Sequence, residues 1–225
     1  MKRITWALWL LIGGLTGLFL LADTLWPAQP GFFALRTVWV QYTGVLAMGM
    51  MSVAMLLATR PAWLEPRLGG LDKMYRLHKW LGIGGLALGT LHWLWAQGTK
   101  WAVGWGWLER PRRGPGPQLE GLEASLRAWR GTAEGLGEWA FYGAALLIVL
   151  ALVKRFPYRW FAKTHTLLAL AYLVLAFHTV VLAQFAYWAQ PLGWVLALLV
   201  AAGTVSALLV LTRQVGAGRK AEGRI

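Results

Sequence analysis

Long apolar segments alternate along the chain with short polar connections that contain proline, glycine and most of the basic residues. A membrane-spanning helix needs about 20 mainly apolar residues, because an α-helix rises about 1.5 Å per residue and the hydrocarbon layer is about 30 Å thick. On this basis we predict six spans, at residues 4–22, 36–59, 75–96, 138–153, 158–184 and 192–211. The pattern predicts an all-α, polytopic membrane protein.

The longest polar segment, residues 97–137, separates the third and fourth spans. Its first half is rich in proline and glycine, and we predict a loop there. In its second half, apolar residues recur every three or four positions, which predicts a short amphipathic helix on the membrane surface. These residues are Leu119, Leu122, Leu126, Trp129 and Ala133. The alternative is that this helix forms a lid over a site at the outer face.

Composition supports a membrane protein and excludes several kinds of chemistry. Hydrophobic residues make up 58% of the chain and charged residues 14%, whereas about 25% of a typical soluble protein is charged. The net charge of +13 does not indicate nucleic-acid binding, because the basic residues collect at the ends of apolar segments. With no cysteine, the chain has no disulfide and no cysteine-bound iron–sulfur cluster.

The distribution of basic residues predicts the orientation in the membrane. With six spans, both termini share one side with residues 60–79 and 154–163, and together these segments hold 15 of the 22 basic residues. The positive-inside rule then places both termini in the cytoplasm and the protein in the cytoplasmic membrane of the cell. Membrane lipid is therefore an expected partner, and nucleic acid is not.

All four histidines lie in two of the predicted spans. His78 and His92 are fourteen positions apart in the third span, and His165 and His178 are thirteen apart in the fifth. At about 1.5 Å per residue, the members of each pair are separated by roughly 20 Å along the helix, so one lies near each membrane face. An imidazole in hydrocarbon is costly and usually marks a cofactor or a transport path.

Two such helices side by side would bring one histidine against another at each of two depths. This arrangement suits two stacked haems, because imidazole is an axial ligand of haem iron and a bis-histidine iron has no open position. Gly82, Gly85 and Gly89 lie between His78 and His92 and would leave room for a porphyrin. The alternatives are close helix packing for the glycines, and a proton relay or metal transport for the histidines.

The two histidine spacings differ in a way that predicts a distorted helix. On an ideal α-helix, fourteen residues bring the second histidine to about 40° from the first, whereas thirteen leave it about 140° away. We therefore expect a distortion such as a π-bulge in the fifth span, unless the two haems approach that helix from different sides.

The two histidine spans resemble the ferric reductase-like transmembrane domain shared by NADPH oxidases and ferric reductases. The matching segments are LDKMYRLHKWLGIGGLALGTLH and FPYRWFAKTHTLLALAYLVLAFH, with spacings of fourteen and thirteen in that order. The resemblance covers about residues 36–212 and implies a six-helix bundle with two stacked b-type haems. It also implies that His78 and His165 bind the inner haem, and His92 and His178 the outer haem.

The chain departs from the family pattern in two places. Relatives with a dehydrogenase half continue into a flavin-binding barrel and a nucleotide domain, whereas this chain stops at Ile225. FAD and NAD(P)H are therefore expected only in a separate flavin reductase subunit or domain, of which the basic tail 213–225 is a candidate start. Oxygen-reducing oxidases carry a further histidine one turn beyond the outer ligand; Ala96 stands there, which argues against superoxide production.

Two other residues are candidates for a part in electron transfer. Arg36, at the outer end of the second span, would polarise an acceptor or meet a haem propionate, and the alternative is an interfacial anchor. Tyr172, midway between His165 and His178, would act as a relay between the haems, and the alternative is a core aromatic residue.

The expected function is transmembrane electron transfer by the haem-containing component of a membrane oxidoreductase. Electrons would pass from a cytoplasmic flavin and NAD(P)H donor to an extracytoplasmic acceptor, either ferric iron or O2. One alternative is the haem-binding membrane subunit of a periplasmic methionine sulfoxide reductase system, although that subunit lacks the histidine that corresponds to His78. A second alternative is a non-redox transporter or scaffold.

Overall fold

The computed structural model describes residues 2–109, 118–153, 155 and 157–215, and all regular structure in them is helical. The predicted all-α class is therefore confirmed for this part of the chain. Most of the predicted basic tail, from residue 216 onward, lies outside the described residues. The α-helices of the described residues are α1 Lys2–Ala22, α2 Phe32–Ala58, α3 Glu65–Leu68, α4 Leu71–Trp93, α5 Thr99–Gly104, α6 Gly121–Ala128, α7 Arg130–Leu152, α8 Tyr158–Leu182 and α9 Pro191–Leu211.

Proline and glycine lie at the ends of several of these helices for ordinary stereochemical reasons. Pro191 occupies the first turn of α9, where its missing N–H leaves no helical hydrogen bond unmade. Pro157 precedes α8 with extended backbone angles. Gly69 ends α3 in the left-handed conformation, with φ of 89°, which glycine adopts without steric cost.

Five helices in the described residues are long and apolar enough to cross a membrane: α1, α2, α7, α9 and the Arg159–Leu182 part of α8. They coincide with five of the six predicted spans. The third predicted span corresponds to α4, which is less apolar than these five helices and is not among them. Its mean hydropathy is low because it carries two histidines, four glycines and a charged first half.

The segment between α4 and α7 contains more helix than the sequence predicts. The chain continues as helix beyond Trp93, first as a π-helical segment at Leu94–Gly98 and then as α5. The predicted amphipathic helix is divided between α6 and α7, so the fourth span begins at Arg130 rather than at residue 138. The two helices also differ in burial, because Leu122 is exposed on α6, whereas Ala133 is completely buried on α7.

The fifth span does not contain a π-bulge, which was one of two expectations for it, because α8 is α-helical from Tyr158 to Leu182. The other expectation, that two haems approach this helix from different sides, stays a prediction. The π-helical segment instead follows His92 at the end of α4. There, Arg36 Nη2 donates a hydrogen bond to the Ala96 carbonyl at 3.4 Å.

Helix α2 lies at the centre of the packing. On one side it forms a buried cluster with α1 and α4, which includes Met50, Ala54 and Leu81. On another side it packs with α1, α8 and α9 around the fully buried Phe19 and Tyr172. Small residues allow close packing of membrane helices, and α4 presents Gly84 and Gly85 to Met50 and Met51 of α2. Helix α7 packs along α8, so the space between α4 and α8 is walled by α2 and α7.

Candidate functional site

The structure brings the four histidines together as two pairs, each with one member from α4 and one from α8. The ring centroids of His78 and His165 are 5.8 Å apart, with an angle of 62° between the ring planes. The ring centroids of His92 and His178 are 6.1 Å apart, with an angle of 76°. All four side chains are partly buried. The sequence spacing thus corresponds to two separate contacts between the same two helices.

Backbone carbonyls hold three of these imidazole rings. His92 Nδ1 lies 2.9 Å from the Val40 carbonyl oxygen, and His178 Nδ1 lies 2.8 Å from that of Ala133. His78 Nδ1 lies 2.9 Å from the Ala54 carbonyl oxygen. A carbonyl only accepts hydrogen bonds, so each Nδ1 carries the hydrogen. In the neutral ring, this leaves the Nε2 lone pair free to bind a metal.

The two α4 histidines both rest on α2. Their acceptors Val40 and Ala54 are fourteen residues apart, the same spacing as His92 and His78. Helix α2 therefore offers two carbonyls in the same register as the two rings. This register explains why α4 remains a regular helix between its histidines.

The two α8 histidines have different surroundings from each other. His178 rests on α7 through the Ala133 carbonyl. The buried Nδ1 of His165 has no hydrogen-bond partner among the described residues, and its ring stacks on Phe161 with centroids 4.9 Å apart. The two rings therefore have different neighbours, and α8 is unbroken between them.

A cavity adjoins the His92–His178 pair. Its volume is about 210 Å³, whereas one water molecule needs about 10–15 Å³ by the same measure. Its deeper part is apolar and includes Met48, Met51 and Leu196. The cavity therefore has room for a ligand much larger than water, with two imidazoles in its wall.

The other end of this cavity is polar and reaches the surface. Arg36, Lys100, Arg130, Glu134 and Glu138 line it. Arg130 and Glu134 form an ion pair of 2.9 Å with both side chains largely exposed, and such pairs contribute about 0–1 kcal/mol. Arg36 Nε is buried without a hydrogen-bond partner in the described part of the chain. This guanidinium is thus available to an anionic or polar group in the cavity.

The three glycines predicted to make room for a porphyrin have different surroundings. Gly85 and Gly89 line the cavity, and a Cβ added at Gly89 would lie 3.4 Å from the Phe141 ring. A Cβ added at Gly82 would meet no atom within 4 Å. Some of these glycines therefore leave space beside α4, and others allow a neighbouring helix to pack closely. A role for the three glycines in binding a cofactor stays a prediction.

Tyr172 lies in the core rather than in the cavity wall. Its hydroxyl is 2.9 Å from Ser52 Oγ and donates to the Val200 carbonyl at 3.3 Å. The side chain is fully buried beside Gly203. These contacts describe a core aromatic residue with a satisfied hydroxyl, and its role as a relay stays a prediction.

The two histidine pairs fit the axial ligands of a haem. A metal–nitrogen bond to imidazole is about 2 Å long, so two imidazoles on opposite sides of one metal have ring centroids roughly 6 Å apart. The observed separations are 5.8 and 6.1 Å. The hydrogen bonds from Nδ1 also select the tautomer that such a ligand needs. The sequence indicated the four candidate histidines but not the carbonyl acceptors of three of them, because a backbone acceptor has no residue-type signal.

Comparison with known proteins agrees with this geometry. Residues 43–176 match the family described as ferric reductase like transmembrane component. No curated protein matches the chain. The matched stretch covers more than half of the sequence, includes His78, His92 and His165, and confirms the resemblance noted above. The protein therefore belongs to the ferric reductase-like transmembrane component family, whose members are membrane components of the oxidoreductase type.

Proposed function

We propose that this protein transfers electrons across the cell membrane by means of two b-type haems. His78 and His165 would hold the inner haem, and His92 and His178 the outer one. The observation that supports this most directly is the pair of facing imidazoles at each end of α4 and α8, with centroids 5.8 and 6.1 Å apart. In this proposal α4 completes the set of six membrane spans, and its two histidines face α8 inside the bundle.

Each part of the site has a distinct task in the proposal. Haem bound there supplies reversible one-electron chemistry at its iron. The carbonyls of Val40, Ala54 and Ala133 orient three ligand rings and keep their Nε2 atoms deprotonated. The apolar part of the cavity keeps water from the ligands, and Arg36 at its polar end is placed to meet a propionate or an acceptor.

The direction of transfer follows from the predicted orientation. Basic residues near the His78–His165 pair, including Lys73 and Arg76, would dock a cytoplasmic flavin reductase that uses FAD and NAD(P)H. The polar end of the cavity, beside the His92–His178 pair, would face the extracytoplasmic acceptor. Ferric iron and O2 are the proposed acceptors, and Ala96 in the cavity wall provides no further histidine.

Counting haems tests the proposal. The protein is purified from cells supplied with haem, and haem per chain is measured together with the reduced-minus-oxidised spectrum. We expect two b-type haems in the wild type and one in each of His78→Ala and His92→Ala, because each variant removes one axial ligand. Thr90→Ala is the matched control, since its hydroxyl bonds to the Leu86 carbonyl of its own helix; it should keep both haems.

The same measurement separates the alternatives. One haem that is lost in His92→Ala and kept in His78→Ala would favour the sulfoxide reductase subunit. Colourless protein despite haem supply would favour a transporter or scaffold. With two haems present, a flavin reductase and NADPH added under anaerobic conditions should reduce both. Reduction of neither would contradict the proposed donor.

A further inference from the structure

Each backbone carbonyl that bonds to a histidine has a small residue four positions later in the sequence. In an α-helix the carbonyl of residue i accepts the N–H of residue i+4. For each of the three carbonyls bound by a histidine in the described chain, residue i+4 is small. The three acceptors and their partners are Val40 with Gly44, Ala54 with Ala58, and Ala133 with Gly137.

A small residue at this position leaves the carbonyl accessible from the side. The Cβ of residue i+4 lies beside the carbonyl that its own N–H has bonded. A large side chain there would cover the oxygen, whereas glycine, or alanine as at Ala58, lets a second donor reach it. The imidazole N–H is that second donor, so the carbonyl accepts from its helix and from the histidine together.

The space around the two glycines shows how closely the rings use this gap. A Cβ added at Gly137 would overlap the edge of the His178 ring, and the atom nearest to it is Nδ1. A Cβ added at Gly44 would lie 3.2 Å from both Cε1 and Nδ1 of His92. In each case the atom that makes the hydrogen bond is among those that the added carbon would meet. The contact is severe at Gly137 and mild at Gly44.

We propose that Gly44 and Gly137 are positioning residues for the outer haem ligands. By exposing the Val40 and Ala133 carbonyls, they set the tautomer of His92 and His178 and hold the two ring planes 76° apart. This inference rests on the proposed function, because it takes the His92–His178 pair as axial ligands. Neither glycine lies between the two histidines of a span, which is where the sequence predicted glycines that make room for a haem.

Three alanine substitutions test the proposal in the purified, haem-loaded protein. Gly143→Ala is the control, because Gly143 lies on α7 with no atom within 4 Å of an added Cβ. The measurements are haem per chain, the low-spin iron signal in electron paramagnetic resonance, and monodispersity in detergent. Nearly perpendicular imidazole planes give a strongly anisotropic low-spin signal, so this spectrum reports ring orientation without any assay of activity.

The expected effect of each substitution depends on the space available for the added Cβ. Gly137→Ala should retain the inner haem and fall from two haems to about one, the result also expected of His92→Ala. Gly44→Ala should keep both haems but show a less anisotropic outer signal, because the His92 ring must turn away from the Val40 carbonyl. Gly143→Ala should match the wild type in both measurements.

Two results would overturn the proposal. One is a Gly137→Ala protein with two haems and an unchanged signal. The other applies if Gly137→Ala does not fold, in which case an unchanged outer signal in Gly44→Ala decides against a positioning role. A wild type that binds no haem would contradict the proposed function itself, so the two failures are distinguishable.

Discussion

At the residue scale, a buried tyrosine shows how the loop between α8 and α9 is fixed. Tyr187 is almost completely buried in the 3₁₀ turn Phe185–Ala189, and its hydroxyl donates to Asp23 Oδ2 at the end of α1. Gln184 joins the same carboxylate and also donates its backbone N–H to Gln41 Oε1. Gln41 lines the cavity beside the His92–His178 pair. This cluster therefore ties α1, α2 and the α8–α9 loop together next to the site.

We expect Tyr187→Phe to destabilise the protein by about 1.5–3 kcal/mol, because it removes a hydrogen bond to a charged group. Burial and the bond to Asp23 raise the pKa of Tyr187. The neutral phenol therefore contributes stability that is fully present below the unfolded pKa of about 10 and is lost as the pH rises through the higher folded pKa. Thermal unfolding in detergent, followed from pH 7 into the alkaline range, measures both effects.

A second tyrosine provides the control for this prediction. Tyr42 OH lies 2.9 Å from Thr16 Oγ1, which is a neutral partner. Tyr42→Phe should therefore lower the free energy of unfolding by only about 0.5–1.5 kcal/mol. Equal losses in the two variants would show that the charge on Asp23 adds nothing to the contact.

At the scale of the elements, the register between α2 and α4 decides where the two α4 histidines lie. The acceptors on α2 and the histidines on α4 share a fourteen-residue spacing. An extra residue between His78 and His92 would turn His92 by about 100° and move it about 1.5 Å relative to His78. Both α4 histidines could then no longer meet their α2 carbonyls and their α8 partners at once.

We therefore expect insertion of one alanine between Ala87 and Leu88 to remove one haem and keep the other. The first part of α4 is anchored by the buried Met74, Leu77 and Leu81, so the inner haem should remain. An alanine inserted after Gln118, in the connection before α6, is the control and should leave two haems. Haem per chain is the measurement, and two haems in the α4 insertion would contradict the role of the α2 register.

The elements also show what the sequence can and cannot predict. Apolar segments and histidine positions predict the spans and the pairing of His78 with His165, because both depend on residue type and spacing. The continuation of α4 through a π-helical segment has no such signal, since residues 94–96 read as the end of an ordinary span and residues from 97 onward as a polar connection. The same limit applies to Val40 and Ala133, whose contribution is a carbonyl oxygen that every residue carries.

At the scale of the whole molecule, the two ends of the bundle differ in charge. The connections at residues 23–31 and 183–190 contain no basic residue, and residues 94–129 on the same side contain five. Residues 60–79 contain five and 154–163 contain four, and with the termini that side holds 15 of the 22 basic residues. Short loops rich in lysine and arginine stay in the cytoplasm. The surface end of the cavity lies beside His92, on the side of the two connections that lack basic residues. Charge and cavity thus agree on which end would face the electron acceptor.

The absence of cysteine allows this orientation to be tested directly, because a single introduced thiol is the only target for a maleimide. Ala28 and Ala62 are exposed alanines in connections at opposite ends of the bundle. A membrane-impermeant maleimide should label Ala28→Cys in intact cells and Ala62→Cys only after lysis. The reverse pattern would put His92 and His178 on the cytoplasmic side. Electrons from a cytoplasmic donor would then enter beside the open cavity, and the proposed direction of transfer would have to be reversed.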